Sequence, residues 1–297
     1  MTGLKRFFKK YGASYFLLSF WLVLFLFFTV IPIVASVLLS FTDFDMVNAL
    51  KPVGVDNYIR LLLDDDIFIK ALGNTLFYAL LTGPAGYLLS FIVAWLINET
   101  GRNMRAALTL IFYAPALAGN VFMAWQYIFS GDAYGILNSL LMRFGFIAEA
   151  IQWQNDPQYN SIVVITVILW MSMGAGFLSF VAGFKQLNTS LYEAAAMDGL
   201  RNRWQELWYV TLPMMKPQLL FGAVMSITSA FSIHEVTVAL AGFPSTEYAA
   251  HTMVNHMWDY GYQRFEMGYA SAIAAVLFLM MLVCRKLINL LLERVGR

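Results

Sequence analysis

Six apolar stretches, almost free of charged residues, recur along the chain at about 14–40, 73–97, 106–130, 161–184, 218–242 and 267–291. Each exceeds the ~20 residues a helix needs to cross the hydrocarbon core of a bilayer. Lipid offers the backbone no hydrogen-bond partners, so a spanning segment must satisfy its own amides, which selects helices here. The alternation expected of a membrane β-barrel strand is absent. The sequence therefore predicts an all-α membrane protein, a bundle of about six transmembrane helices. Composition agrees: 12% of residues are charged and the mean hydropathy is +0.66, whereas soluble domains carry ~25% charge.

The first stretch follows Lys5, Arg6, Lys9 and Lys10, as a secretory signal would. A signal's apolar core runs only about 7–15 residues; this run extends from about Ser14 to Leu39 and is expected to be a retained first helix. With the N-terminus placed inside, the inner segments hold Lys5, Arg6, Lys9, Lys10, Arg102, Arg105, Lys185, Arg201, Arg203, Lys216, Arg285, Lys286, Arg294 and Arg297. That is 14 of the 19 basic residues; the outer loops hold the other five, Lys51, Arg60, Lys70, Arg143 and Arg264. The excess predicts both termini on the cytoplasmic side and an even number of spans. The outer loops fall at about 41–72, 131–160 and 243–266, the first with the acidic run Asp64-Asp65-Asp66 and the second with a short interfacial helix near Tyr134–Phe146. No linker or low-complexity segment divides residues 1–297, so one membrane domain is expected. A net charge of +1 gives no field that favours nucleic acid. The single cysteine, Cys284, excludes an internal disulfide and reads as a small apolar residue in a membrane helix.

The informative segment is the inner loop at about 188–217. Ser190 or Thr189 is expected to cap a short helix with Glu193 near its positive end, followed by Ala194, Ala195 and Ala196. Gly199 permits the reversal that ends it. A second piece carries Trp204, Leu207 and Trp208 as an apolar edge, and Pro213 and Pro217 punctuate the approach to the fifth span. A smooth alanine-faced helix suits insertion into a groove on another protein; packing on its own bundle is the other reading.

This loop resembles the EAA motif of permease subunits in binding-protein-dependent ATP-binding-cassette (ABC) importers. Glu193-Ala194-Ala195 and Gly199 fit the pattern, and Val210, Leu212 and Pro213 close it. Ten residues, Leu200–Tyr209, separate Gly199 from Val210, one more than is usual in the family. The chain is most similar to the carbohydrate-uptake branch, and within it to the first permease of maltose- and glycerol-phosphate-type systems. Pro32 with Ser40-Phe41-Thr42, Gly54-Val55-Asp56-Asn57-Tyr58, Asn74-Thr75, then Pro115, Trp125, Phe129, Gly135 and Asn138, and finally Gly268-Tyr269-Ala270-Ser271-Ala272 occur in the expected order.

The resemblance implies a type I ABC importer permease fold and a subunit that is not itself a catalyst. It implies a second, similar permease subunit in a heterodimer, two copies of an ATPase, an extracellular sugar-binding protein, and residence in a bacterial-type cell membrane. Glu193, Ala194, Ala195, Asp198, Gly199, Leu212 and Pro213 would form the ATPase-coupling element. The chain contains no Gly-x-x-x-x-Gly-Lys-Ser/Thr loop, so ATP and Mg²⁺ are expected on the partner ATPase, with no cofactor in this chain.

Candidate substrate contacts come from polar and aromatic residues within the spans. His234 and Glu235, with Phe231 nearby, either line a polar path, pair to lock helices, or lie near the outer interface. Trp125, Tyr127 and Trp170 are flat apolar faces suited to a sugar ring. Gly174 and Gly176 read as close-packing positions. His251 and His256, with Glu247 and Asp259, lack tight metal-ligand spacing and are expected on the outer surface. Asn98-Glu99-Thr100 and Asn188-Thr189-Ser190 match glycosylation sequons but fall on the inner side. The expected function is a carbohydrate importer's permease. A permease for another solute, such as a glycerol phosphodiester or a polyamine, and a stand-alone channel or secondary transporter are the alternatives. The spans hold no basic cluster for a phosphate, and only the fifth carries a candidate charge relay.

Overall fold

The computed structural model describes residues 3–292, with side chains from 11 to 290. Arg294 and Arg297, and the side chains of Lys5, Arg6, Lys9 and Lys10, all used above for orientation, lie outside these. In chain order the helices are α1 (Gly3–Phe25), α2 (Ile31–Leu39), α3 (Asp56–Ile59), α4 (Asp66–Asn98), α5 (Arg102–Leu117), α6 (Met123–Ile128), α7 (Ile136–Arg143) and α8 (Asn160–Met171). They continue with α9 (Ala175–Gln186), α10 (Thr189–Met197), α11 (Arg203–Glu206), α12 (Leu212–Met214), α13 (Lys216–Phe231), α14 (Glu235–Ala241), α15 (Met253–Trp258) and α16 (Met267–Leu292). Among the described residues, four stretches are long and apolar enough to cross a membrane: Tyr11–Leu39, Asp66–Asn98, Asn160–Gln186 and Met267–Leu290. Two bent pairs, Arg102–Leu117 with Gly119–Ile128 and Arg203–Met214 with Lys216–Phe231, bring the number to six if each is one span.

Three spans differ from their expected course or bounds. The third bends by 92° after α5, where Gly119 takes φ +44° and Asn120 leaves helical geometry. The expected fifth span stops at Phe231; residues 232–234 are non-helical before α14 begins. The second begins earlier than expected, because Asp65 accepts a bond from Phe68 N and starts α4 at Asp66.

The chain divides into two compact units, Met1–Asp64 with Met257–Val276, and Asp65–His256 with Leu277–Arg297. In the first unit no side chain from Tyr11 to Leu39 is buried, as suits a helix whose surroundings are lipid or another chain. The matched sequence fragments of this unit meet one another. Asn57 Nδ2 donates to the Ser40 and Thr42 carbonyls at 2.9 and 2.8 Å, and the Tyr58 and Ser40 hydroxyls lie 2.6 Å apart. Gly268 N donates to Phe44 O at 2.8 Å; a Cβ at Gly268 would collide with the Thr42 carbonyl.

In the second unit α4, α9 and α13 pack against one another. Small residues allow the approach: a Cβ at Gly83 would touch Ala230, one at Gly176 would lie 3.4 Å from Gly222 Cα, and one at Gly86 would lie 2.9 Å from Ser172 Cβ. Ser226 Oγ donates to Gly83 O at 2.7 Å, and Ser90 Oγ to Ser172 O at 3.1 Å. Below them Phe91, Phe177, Phe180, Phe184 and Met215 form a buried aromatic core.

Candidate functional site

Two features of the second unit carry chemistry: a cavity among the packed helices, and the loop that joins α9 to α13.

The cavity holds about 430 Å³. Thr82, Gly86, Tyr87 and Ser90 of α4 line one side, and Gly222, Met225, Ser226, Ser229 and Ala230 of α13 another. Ala175, Gly176 and Phe180 of α9 face them, with Ile168 and Met171 of α8. The wall is rich in hydroxyls. It also contains two helix interruptions, Ser172 and Gly174 between α8 and α9, and Ser232 to His234 between α13 and α14. Non-helical backbone at membrane depth is tolerated where it is buried in protein or lines a polar cavity. Gly174 takes φ −95° and ψ −143° at the first break, and a Cβ there would meet open space. Its expected close-packing role therefore belongs to Gly176 alone.

His234 and Glu235 both lie on this wall. His234 caps the start of α14, and its Nδ1 lies 2.8 Å from Asn255 Oδ1. Asn255 in turn bonds Thr237 and Thr252, so the histidine is held by an asparagine network. Glu235 is exposed at the first turn of α14. Phe231 is buried and does not line the cavity. Trp125, Tyr127 and Trp170 lie elsewhere. Trp125 stacks on Phe129 and meets Trp170 edge-on at 5.4 Å, next to the cluster of Phe122, Val163, Val167 and Leu240. Trp125 and Tyr127 both follow the bend after α5; Trp125 packs against this cluster, whereas Tyr127 is 74% exposed.

His251 and His256 are buried, contrary to the surface position expected for them. His256 Nε2 lies 2.9 Å from Asp65 Oδ2, and His251 Nε2 lies 3.4 Å from His256 Nδ1. The same region is anchored by Asn74, whose Nδ2 donates to the Tyr248 and His251 carbonyls at 2.9 Å each. Thr75 Oγ1 accepts from Met253 N at 2.8 Å. The Asn74-Thr75 pair thus fixes the loop from Tyr248 to Met253. Among the described residues no group of three or more His, Cys, Asp or Glu is arranged to hold a metal ion.

In the connecting loop α10 is capped by Asn188, not by Thr189 or Ser190: its Oδ1 accepts from Ser190 N at 3.1 Å. The helix ends as Gly199 turns to φ +96°. Leu200 N bonds Ala195 O and Gly199 N bonds Ala196 O, the paired bonds of a glycine-terminated helix. Only Ala195 of α10 is buried; Glu193, Ala194, Ala196, Met197 and Asp198 face outward. Leu212 and Pro213 are half-buried, Leu212 against the aromatic core. The expected apolar edge divides: Leu207 is buried, while Trp204 and Trp208 are 71% and 65% exposed. Tyr192 and Thr211 join the two halves of the loop through their hydroxyls at 2.7 Å. Burial raises the Tyr192 phenol above its ordinary range, so it stays neutral and available for that bond. Arg203 donates to Glu206 at 2.9 Å and pairs with Glu99 at 3.2 Å; the Glu206 bond first, then the two carboxylate charges, raise its pKa. Neither Arg203 nor Glu99 was marked by the loop motif, and only their opposite charges at the two predicted inner loops hinted at the pair.

Residues 86–297 match the family described as the binding-protein-dependent transport system inner membrane component. The chain belongs to that family. It is 33% identical over 286 residues to the probable ABC transporter permease protein YesP of Bacillus subtilis, covering 94% of this chain and 89% of that one. It is 28% identical to the arabinooligosaccharides transport system permease protein AraP of the same species, covering 93% and 87%. The fold is similar, at a TM-score of 0.80 and 22% identity over 98% of both chains, to that of a bacterial alginate ABC transporter crystallised in complex with an alginate pentasaccharide-bound periplasmic protein. The chain is thus a multi-pass ABC transporter permease, as the loop motif and apolar spans led one to expect.

Proposed function

We propose that this chain is the membrane-spanning subunit of an ATP-driven carbohydrate importer of the bacterial cell membrane. It forms part of the translocation path and passes the ATPase's movement to that path through α10. The observation that carries this is the surface of α10. Glu193, Ala194, Ala196 and Met197 form an outward face that pairs two alanines with an acidic and a long apolar side chain, Met197 being 89% exposed, on a helix fixed at both ends. Such a face suits a groove on a partner. ATP and Mg²⁺ belong to that partner, present in two copies. A second permease subunit completes the pair, an extracellular binding protein delivers substrate, and both termini lie inside.

The cavity supports a neutral, hydroxyl-bearing substrate. Serine and threonine hydroxyls dominate its polar wall, Tyr87 offers a flat face, and among the described residues no Lys or Arg lines it. A phosphate-bearing solute would meet only His234, whose Nδ1 is already held by Asn255, among the described basic side chains there. Glu235 is the one feature favouring an amine-bearing solute such as a polyamine.

The test is co-purification of the chain with candidate ATPases, and uptake into proteoliposomes containing the whole complex. Replacing Glu193 and Gly199 together (Glu193→Ala, Gly199→Val) is expected to abolish both ATPase association and uptake. Unchanged association and uptake would overturn the coupling reading. Competition between neutral oligosaccharides and polyamines separates the two substrate classes.

A further inference from the structure

Two walls of the cavity are joined to the coupling loop by the chain itself. Helix α9 leads into α10 through Leu187 and Asn188, and α13 follows α12 after Met215. Helix α4, which supplies Thr82, Gly86, Tyr87 and Ser90 to the cavity, has no such link and meets the loop through side chains. At its C-terminal end Glu99 Oε2 lies 3.2 Å from Arg203 Nη2, whose Nη1 bonds Glu206 of the loop at 2.9 Å. One turn earlier Trp95 meets Trp204 with ring centroids 5.4 Å apart, and Leu207 packs into the cluster that holds Ala94 and Ile97. A second cavity of about 450 Å³, lined by Trp95, Glu99, Lys185, Tyr192, Arg203 and Glu206 among others, opens at this junction. The Arg203 bridge therefore borders open space and is not a contact within a packed core.

We propose that Arg203 is a positioning residue: its bridge to Glu99 ties α4 to the coupling loop, so that α4, α9 and α13 of the cavity wall move together. This rests on the coupling role of α10 argued above. The lever is direct. From Ser90, on the cavity, to Glu99 is nine residues of helix, about 14 Å. Without the tether α4 follows the loop only through its packing on α9 and α13 and the Trp95–Trp204 contact, so loop movement is transmitted to the α4 wall less tightly and less of each ATPase cycle becomes a change in the cavity's opening. The pair is exposed, with 66% and 44% of the two side chains accessible. Pairs of that kind add little to stability, so breaking it leaves the fold in place.

The experiment uses the assembled transporter in proteoliposomes and reads both uptake and binding-protein-stimulated ATP hydrolysis. Arg203→Glu and Glu99→Arg are each expected to leave assembly intact and lower uptake per ATP hydrolysed five-fold or more. The double exchange, which restores an opposite-charge pair, is expected to return that ratio to within two-fold of the parent. An unchanged ratio in both single variants would overturn the proposal, as would a double exchange that assembles but is not rescued. Arg203→Gln guards against a folding defect: if this mild change already prevents assembly, the residue is structural and the proposal fails. Loss of ATPase association in the Glu193 and Gly199 variant, together with tether variants of normal ratio, would sink this inference alone. Retained association in that variant would sink the coupling reading itself.

Discussion

Asp65 binds two things at once: its Oδ1 accepts the Phe68 amide at 2.9 Å and its Oδ2 lies 2.9 Å from Nε2 of His256, 191 residues away in sequence. Both side chains are nearly inaccessible, at 9% and 1%. One carboxylate thus starts the longest helix and fastens the segment after α14 to it.

Replacing Asp65 by alanine removes both contacts. The cap contributes about 1 kcal/mol and a broken buried polar pair about 1–3 kcal/mol, so Asp65→Ala is expected to cost about 2–4 kcal/mol. Asp65→Asn keeps a capping oxygen and is expected to cost less. Thermal unfolding midpoints in detergent check the order: parent above Asn above Ala. Equal midpoints for the two variants would show that the cap adds nothing.

In the first unit the same logic applies to Asn57, whose buried amide serves two carbonyls. Asn57→Ala leaves the Ser40 and Thr42 carbonyls without this donor, an expected loss of about 1–3 kcal/mol. Gly268→Ala drives a methyl group into the Thr42 carbonyl and is expected to lower the yield of monodisperse protein more than Ala270→Gly. Size-exclusion recovery after heating measures both.

Much of this architecture is written in composition and charge. The apolar runs locate the spans, since length and hydropathy are what the bilayer selects. The reversal at Gly199 is legible because only glycine takes φ +96° readily. The breaks are not legible. Ser232, Ile233 and His234 include no Gly or Pro to mark a stop, and the groups freed there find tertiary partners: Thr252 Oγ1 donates to the Ile233 carbonyl at 2.8 Å and His234 Nδ1 lies 2.8 Å from Asn255 Oδ1. The burial of His251 and His256 was hidden likewise, because Asp65, the partner of His256, sits in an acidic run that reads as a solvated loop, and His251 lies against His256. Trp125, Tyr127 and Trp170 show the limit of type-based reasoning. Their rings suit a sugar, but Trp125 and Tyr127 follow the 92° bend after α5, whose sequence signal, Gly119, is a single residue, and Trp170 meets Trp125 from α8.

The cavity reading predicts a steric block. Ser229 is exposed on the cavity wall, whereas Thr228 beside it is exposed but does not line the cavity. Ser229→Trp is expected to reduce uptake at least ten-fold while leaving thermal stability and ATPase association unchanged. Thr228→Trp is expected to retain most of the uptake. Equal uptake by the two variants would place the path elsewhere.

Gly222 and Phe180 test the packing that shapes the cavity. A Cβ at Gly222 would collide with the Phe180 ring, reaching 2.7 Å from Cε1, and that ring is held edge-on by Tyr87 and Phe91 at 5.4 and 5.5 Å. The ring must shift against these neighbours or into the cavity it lines, so Gly222→Ala is expected to cost about 1–3 kcal/mol by overpacking. Phe180→Leu alone loses aromatic contacts and also destabilises. In the double variant the smaller side chain makes room for the methyl group, so the two losses are expected to fall short of their sum by about 0.5–3 kcal/mol. Unfolding midpoints of the four proteins in one detergent give this coupling. Strict additivity would mean that the α9–α13 contact yields elsewhere, and that Gly222 is not what brings these two helices close.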